Sequence, residues 1–85
     1  MAYAVQFKPI ASRQFDSLPR EIQKRVALKI DALRDNPNPA GCKKLAGLPD
    51  VRRIRVGDYR VVYQVQGQTC IVLVLKIGHR REVYR

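Results

Sequence analysis

Three arginines of one segment share a strand face, and their spacing is the first feature that could support chemistry. The segment Val51–Val65, VRRIRVGDYRVVYQV, has the pattern of two strands joined by a tight turn. Side chains alternate between the two faces of a strand. This alternation places Arg53, Arg55 and Arg60 together, opposite the face that carries the apolar residues. A solvated basic face is the simplest interpretation, but clustered guanidiniums also favour an anionic ligand.

The last seven residues, HRREVYR, contain further side chains that could take part in a reaction. His79 is the one histidine of the chain, and an unperturbed imidazole changes charge near neutral pH. Tyr84 can stack on a base, while Arg80 and Arg81 can bind phosphate in a fork geometry that lysine cannot match. If the final strand pairs beside the hairpin, we expect this tail to reach the three arginines.

Such a set of residues suits the cleavage of RNA, which needs no cofactor. The sequence shows no paired-carboxylate site, no glycine-rich phosphate loop and no Ser-His-Asp arrangement. RNA carries its own nucleophile, the 2′-OH, which attacks the adjacent phosphorus once its proton is taken. Fixed cations stabilise the anionic phosphorane, and general acid–base transfer typically adds about 10²–10⁴-fold. The products would be a 2′,3′-cyclic phosphate and a 5′-hydroxyl, and no metal is required.

The composition indicates one small domain, residues 1–85, with an affinity for polyanions. Its 85 residues include 17 Lys and Arg against 7 Asp and Glu, a formal net charge of +10. Such an excess attracts nucleic acid, an anionic membrane or an acidic protein.

We expect a cytoplasmic protein, because no apolar run could cross a bilayer and no signal peptide is recognisable. Cys42 and Cys70 fit no metal-binding spacing, so we expect free thiols, with Cys70 packed in the core.

The order of the predicted elements, β-α-α-β-β-β, indicates an α+β fold. Pro9 and Pro19 each suit the start of a helix, and the apolar residues that follow Pro19 recur at helical spacing. We expect the two helices to pack on one face of a four-stranded, mainly antiparallel sheet, which leaves the arginine face uncovered. Besides the hairpin, the predicted elements are a strand at Tyr3–Phe7, helices at Pro9–Ser17 and Pro19–Asp35, a loop at Ala40–Asp50, and a central strand at Thr69–Ile77 that Gly78 ends.

Two long runs of the chain resemble the RelE/ParE superfamily of bacterial toxins, and the RelE-type branch more closely. They are Lys43–Val65, which contains GDYRVVY, and Ile71–Arg85, which contains GHRREVY. With the two-helix opening they cover nearly the whole chain. The resemblance implies a toxin of a type II toxin–antitoxin system that enters the ribosomal A site. It also implies that the toxin cuts the mRNA there by 2′-OH attack and so inhibits translation.

The resemblance further implies roles for individual residues. Arg60 corresponds to a phosphate-stabilising arginine of the family, and Arg80 to a candidate general acid. Tyr84 corresponds to a tyrosine that stacks on the substrate base. Arg53 and Arg55 stand where the family often has lysines, one of which is a candidate general base.

One departure from the family leaves the general base open. Arg55 suits that role poorly, because a guanidinium hardly deprotonates (pKa above about 12). His79 is the obvious substitute, and Arg81 is the alternative to Arg80 as the acid. The expected catalytic residues are thus Arg55, Arg60, His79, Arg80 and Tyr84, and the expected substrate-binding residues are Arg53, Arg81, Lys43 and Lys44.

The implied partner is an acidic RelB-like antitoxin that wraps the toxin, and the complex is expected to bind its own promoter DNA through the antitoxin. Two other functions stay open. One is a ParE-type toxin, which has the same fold but inhibits DNA gyrase. The other is a non-catalytic RNA-binding or ribosome-binding module, in which the arginines only neutralise phosphates.

Overall fold

The computed structural model describes residues 2–79, which form two helices and five strands. Pro9 is the first residue of the first helix, where its missing N–H costs nothing. The second helix ends three residues before the predicted end, because Leu33, Arg34 and Asp35 donate to carbonyls only three residues back and so form a tighter turn. The elements are β1 Ala4–Phe7, α1 Pro9–Asp16, α2 Arg20–Ala32, β2 Lys43–Lys44, β3 Val51–Val56, β4 Tyr59–Gln66 and β5 Ile71–His79.

The five strands form one sheet in the order β1-β5-β4-β3-β2, and only β1 and β5 run parallel. This arrangement confirms an α+β fold with a helical hairpin on one face of a mainly antiparallel sheet. The predicted strand count of four was wrong. Lys43 and Lys44, predicted as loop, pair with Arg53 and Arg52 as a short edge strand. Two residues are too few to show a strand periodicity in the sequence.

The last strand, β5, begins and ends later than predicted. Cys70 lies in the preceding turn with φ at 53° and is half-buried, so its predicted place in an apolar core strand was wrong. Gly78 does not end the strand but pairs with Arg60, and His79 pairs with Tyr59. The strand continues because β4 begins early enough to offer both residues a pairing partner.

The main core lies between the helices and one sheet face. Tyr63 is fully buried at its centre, and its hydroxyl donates to the Pro37 carbonyl at 2.8 Å. Burial raises the pKa of Tyr63, so this hydroxyl stays a donor. At the sheet edge beyond the end of β1, Gln14 of α1 accepts the Ile77 N–H at 2.8 Å. Within residues 2–79, neither helix has the length and apolarity that a bilayer crossing requires.

Candidate nucleic-acid interface

The strand register confirms that the three hairpin arginines share the face turned away from the helices. Arg55 lies directly opposite Arg60, and Arg53 lies opposite Val62 in the next position along the same face. Directly opposite residues of an antiparallel pair hold their Cβ atoms about 4.5–5.5 Å apart. Ile54, between the two β3 arginines, points to the other face and belongs to the main core. Positive charge is therefore concentrated on two neighbouring strands.

Arg60 is the buried charge of this face, with 6% of its surface exposed. Its Nη1 donates to the Gly57 and Tyr59 carbonyls at 3.5 and 3.3 Å, which holds the guanidinium against the β3–β4 turn. Gly57 opens that turn with φ at 59°, a value that favours glycine. Burying a cation costs several kcal/mol before compensation. Stability alone is thus a weak reason for an arginine here, and a functional role is favoured.

Arg55 and Arg53 are more accessible than Arg60. Arg55 is exposed and Arg53 is half-buried. No acidic side chain of residues 2–79 forms an ion pair with Arg55, although Asp31 of α2 does so with Arg34. The exposed guanidinium of Arg55 is therefore able to bind an incoming anion.

Apolar side chains cover part of the arginine-bearing face, which the sequence predicted to be left uncovered by the helices. Val51 and Val62 are 4% and 7% exposed and form a second apolar cluster with Leu45 and Leu75. Leu45 follows β2, and its N–H donates to the Val51 carbonyl at 3.0 Å. The cationic side chains thus lie next to this apolar cluster. Such a surface suits a nucleotide, which has a charged backbone and a flat base.

A β-bulge in β5 adds a cation that the sequence pattern did not predict. The register shifts where Val62 pairs with Lys76, and Leu75 is the additional residue. Val74 and Ile77, three residues apart, both face the main core. Strict alternation from Val74 would have placed Lys76 in that core, and the bulge places it beside Val62 instead. The sequence did contain an indication of the bulge. Lys76 interrupts an apolar run in which Val74 and Ile77, an odd number of positions apart, cannot share a face under strict alternation.

Lys43 and Lys44, predicted together as substrate-binding residues, lie on different faces. Lys43 pairs with Arg53 and shares its face, whereas Lys44 pairs with Arg52 on the helix side. Both side chains are exposed. We call the surface formed by Lys43, Arg53, Arg55, Arg60 and Lys76 the cationic face.

His79 lies on the helix side of the sheet, away from the cationic face. It pairs with Tyr59, and their rings make an edge-to-face contact with centroids 5.6 Å apart. The two rings line a cleft with Arg13 and Leu18 of the helical hairpin. The structure therefore does not bring His79 together with Arg55 and Arg60, and its predicted role as the base gains no support from this geometry.

The other predicted site residues, Arg80, Arg81 and Tyr84, lie outside the described residues 2–79, and their roles stay predictions. Cys42 and Cys70 are free thiols, as expected. In the part of the chain that the structure describes, no group of three or more His, Cys, Asp or Glu residues could hold a metal ion together.

Comparison with known protein families shows to which family the chain belongs. The model of the family described as "ParE toxin of type II toxin-antitoxin system, parDE" matches residues 5–84. The chain belongs to this toxin family. Among individual relatives, the mRNA interferase toxin RelE of Escherichia coli is 31% identical over 88 residues, covering 99% of this chain and 92% of the relative.

Solved structures of RelE toxins show the same fold. The isolated Escherichia coli RelE toxin superposes with a TM-score of 0.84 at 30% identity, covering 98% of this chain and 92% of that one. RelE in the archaeal RelE–RelB complex of Pyrococcus horikoshii superposes with a TM-score of 0.83 at 32% identity, covering 94% and 97%. The resemblance to the RelE/ParE superfamily is thereby confirmed, and the fold is RelE-like.

Proposed function

We propose that this protein is a RelE-type toxin that cuts mRNA on the ribosome. One observation carries the proposal. The register gathers Arg53, Arg55 and Arg60 on one sheet face in a chain 31% identical to an mRNA interferase toxin. A compact cationic face suits the phosphodiester of a single strand, where fixed cations stabilise the charge that develops in the transition state.

In the proposed reaction the RNA itself supplies the nucleophile. A base takes the 2′-OH proton, the 2′-oxygen bonds to phosphorus, and the bond from phosphorus to the 5′-oxygen breaks as that oxygen is protonated. Arg60, which donates to two carbonyls of the turn, stabilises the phosphorane, and Arg53 and Arg55 bind the flanking phosphates. Because the nucleophile is internal, the step requires no metal ion.

The remaining roles follow the family resemblance. Arg80 donates the proton to the leaving 5′-oxygen, with Arg81 as the alternative donor. Tyr84 stacks on the base beside the cleavage site. Of the two lysines predicted to bind substrate, Lys43 shares the face of Arg53 and binds a phosphate at the edge of the sheet, whereas Lys44 lies on the helix side.

The biological setting also belongs to this proposal. We infer that the toxin acts in the cytoplasm, where it enters the ribosomal A site. Because the Pyrococcus horikoshii relative is in complex with RelB, we expect a RelB-like antitoxin to bind this chain. Net charge +10 favours an acidic partner. The complex would bind its own promoter DNA through the antitoxin.

The direct test combines translating ribosomes, a defined mRNA and mapping of the new 5′ ends. The parent protein should cut within translated codons and leave 5′-hydroxyl ends, and it should leave the same mRNA intact without ribosomes. Arg60→Lys should lower the single-turnover rate by about 10²–10³-fold, the loss expected when one positioned donor is removed. The matched control is Arg52→Lys, an arginine of the same strand pair that faces the helix side.

Two results would contradict the proposal. Intact message on actively translating ribosomes would exclude the nuclease and favour a binding module. A fully active Arg60→Lys variant, with unchanged thermal stability, would exclude the assigned site.

The name of the matched family supports a second candidate function, that of a ParE-type toxin that inhibits DNA gyrase. The relatives named RelE favour the nuclease over this candidate. A gyrase supercoiling assay separates the two, because a ParE-type toxin would block supercoiling and leave mRNA intact.

A further inference from the structure

The proposed reaction needs a proton acceptor, and the hairpin arginines do not offer one. A guanidinium stays protonated throughout the physiological pH range, so Arg53, Arg55 and Arg60 can bind anions but cannot accept a proton. His79 could exchange a proton, but it contacts Tyr59 on the other side of the sheet. The acceptor is therefore expected to be a side chain other than these four, and close to Arg60.

The β-bulge places Lys76 where such an acceptor is needed. Lys76 pairs with Val62 of β4, and Val62 also pairs with Arg53 of β3. The three side chains form one row across three strands. Arg60 lies two residues from Val62 on the same face, which makes it a diagonal neighbour of Lys76. Such neighbours are about 7–8 Å apart, within reach of long side chains. A phosphodiester bound to Arg60 would thus lie next to the Lys76 amine.

The neighbours of Lys76 on the cationic face differ on its two sides. Leu75, the additional residue of the bulge, packs on the apolar cluster of Val51 and Val62 and covers that side. On the other side Gly78 pairs with Arg60 and contributes no side chain between them. Lys76 itself is half-buried. In the bulge, Leu75 therefore packs in the apolar cluster, while no side chain separates Lys76 from Arg60 at the position of Gly78.

Lys43 is the one other lysine of the cationic face, and its position is less suitable. It lies on β2, the edge strand, opposite Arg53. Two strands separate it from β5, and β3 lies between it and Arg60. It suits a flanking phosphate better than the 2′-OH beside the phosphate held by Arg60.

We propose that Lys76 is the general base of the reaction, an inference that rests on the proposed nuclease function. The Lys76 amine accepts the 2′-OH proton and becomes an ammonium as the 2′-oxygen bonds to phosphorus. The bond to the 5′-oxygen then breaks, and this oxygen takes its proton from the acid, the role given above to Arg80. Lys76 returns its proton to solvent after the products leave. Lys76 thereby supplies the proton acceptor that Arg53 and Arg55, which stand where the family often has lysines, cannot supply.

The test compares three variants in the ribosome assay under single-turnover conditions. Lys76→Arg keeps the charge but not the exchangeable proton, and Lys76→Ala removes both. Each should lower the cleavage rate by about 10²–10⁴-fold, the usual contribution of general acid–base transfer. Lys24→Arg, an exposed lysine on the helix side, is the control for generic lysine loss. Thermal denaturation of each variant checks that folding is retained.

Chemical rescue separates proton transfer from charge alone. Methylamine should restore part of the activity of the Lys76→Ala variant, while guanidinium or sodium ions at the same low concentration should not. A Lys76→Arg variant that cleaves at the parent rate would overturn the inference. The inference would also be overturned if methylamine restored the activity of the Lys76→Ala variant no better than guanidinium does. If the parent protein itself cut no mRNA, that result would contradict the proposed nuclease function. It differs from a result in which the parent cuts mRNA and the Lys76 variants do so equally fast, which would contradict the role of Lys76 alone.

Discussion

Single residues of the cationic face differ in what they can offer an RNA substrate. The guanidinium of Arg60 is buried and donates to two carbonyls at the turn, which restricts its movement. Arg55 is exposed and has freedom to follow the backbone of the RNA. Within this face, Lys76 combines proximity to Arg60 with an exchangeable proton. A fixed donor lowers the free energy of a charged transition state without reorganisation, and we assign that role to Arg60.

At this scale the buried hydroxyl of Tyr63 allows a stability prediction. Tyr63→Phe should lower the free energy of unfolding by about 1 kcal/mol, because the bond to the Pro37 carbonyl is lost. Burial raises the pKa of Tyr63 above the ordinary value of about 10. Above that pH the unfolded chain therefore ionises first, and stability falls as the pH rises further.

The measurement for Tyr63 is urea denaturation of both proteins between neutral pH and strongly alkaline pH. The parent should lose more stability than the Tyr63→Phe variant above pH about 10, because only the parent carries this buried hydroxyl. Tyr3→Phe serves as the matched control. Parallel stability curves for parent and Tyr63→Phe would show that burial of this group does not govern the alkaline loss.

Two local backbone features at the scale of the strands determine which side chains meet. The Gly57-Asp58 turn sets the hairpin register, so Arg55 faces Arg60. The bulge in β5 then reverses the alternation, which lets Ile77 enter the core and Lys76 leave it. A shift of one residue in either feature would move a whole set of side chains to the opposite face.

The turn glycine provides the prediction for this scale. Gly57→Val should cost about 1–2 kcal/mol of unfolding free energy, because φ there is 59° and a branched side chain disfavours that region. The control is the same substitution at Gly67, in the next turn, where an added Cβ would meet no atom within 4 Å. Guanidinium denaturation measures both. Equal losses at the two glycines would contradict a special requirement at Gly57.

Charge and topology act at the scale of the whole molecule. The helices cover one face of the sheet, so the strand cations are collected on the other. With a net charge of +10, the chain should associate with RNA in a strongly salt-dependent manner. The apolar cluster beside the cationic side chains would then limit where a base can bind. The net charge would thus determine how strongly RNA binds, and the apolar cluster where it binds.

Salt dependence gives the prediction for the whole molecule. Binding to a short 2′-O-methyl RNA, which lacks the attacking hydroxyl, should weaken with salt by a slope near −0.7 for each phosphate contact. Arg55→Gln should reduce the magnitude of that slope by about 0.7, because one exposed contact is lost. Arg34→Gln, which removes an arginine paired with Asp31 on α2, should not. Equal slopes for parent and Arg55→Gln would remove Arg55 from the interface.

Much of the fold and part of the site could be predicted from the sequence. Period-two alternation indicated the hairpin and the shared face of its arginines, and proline positions indicated both helices. The prediction failed where no local pattern exists. The two-residue strand β2 shows no periodicity, and Gly78 stays in β5 only because β4 offers Arg60 as a partner.

Local rules act over a few residues, so the sequence by itself determined the elements, the excess of positive charge and the family. Which side chains meet across strands depends on register, and register is decided by tertiary pairing. Only the folded sheet separates His79 from the arginines, and only the bulge brings Lys76 to them. The physical reason is that one additional residue in a strand reverses every later side chain, which no local pattern of residues specifies.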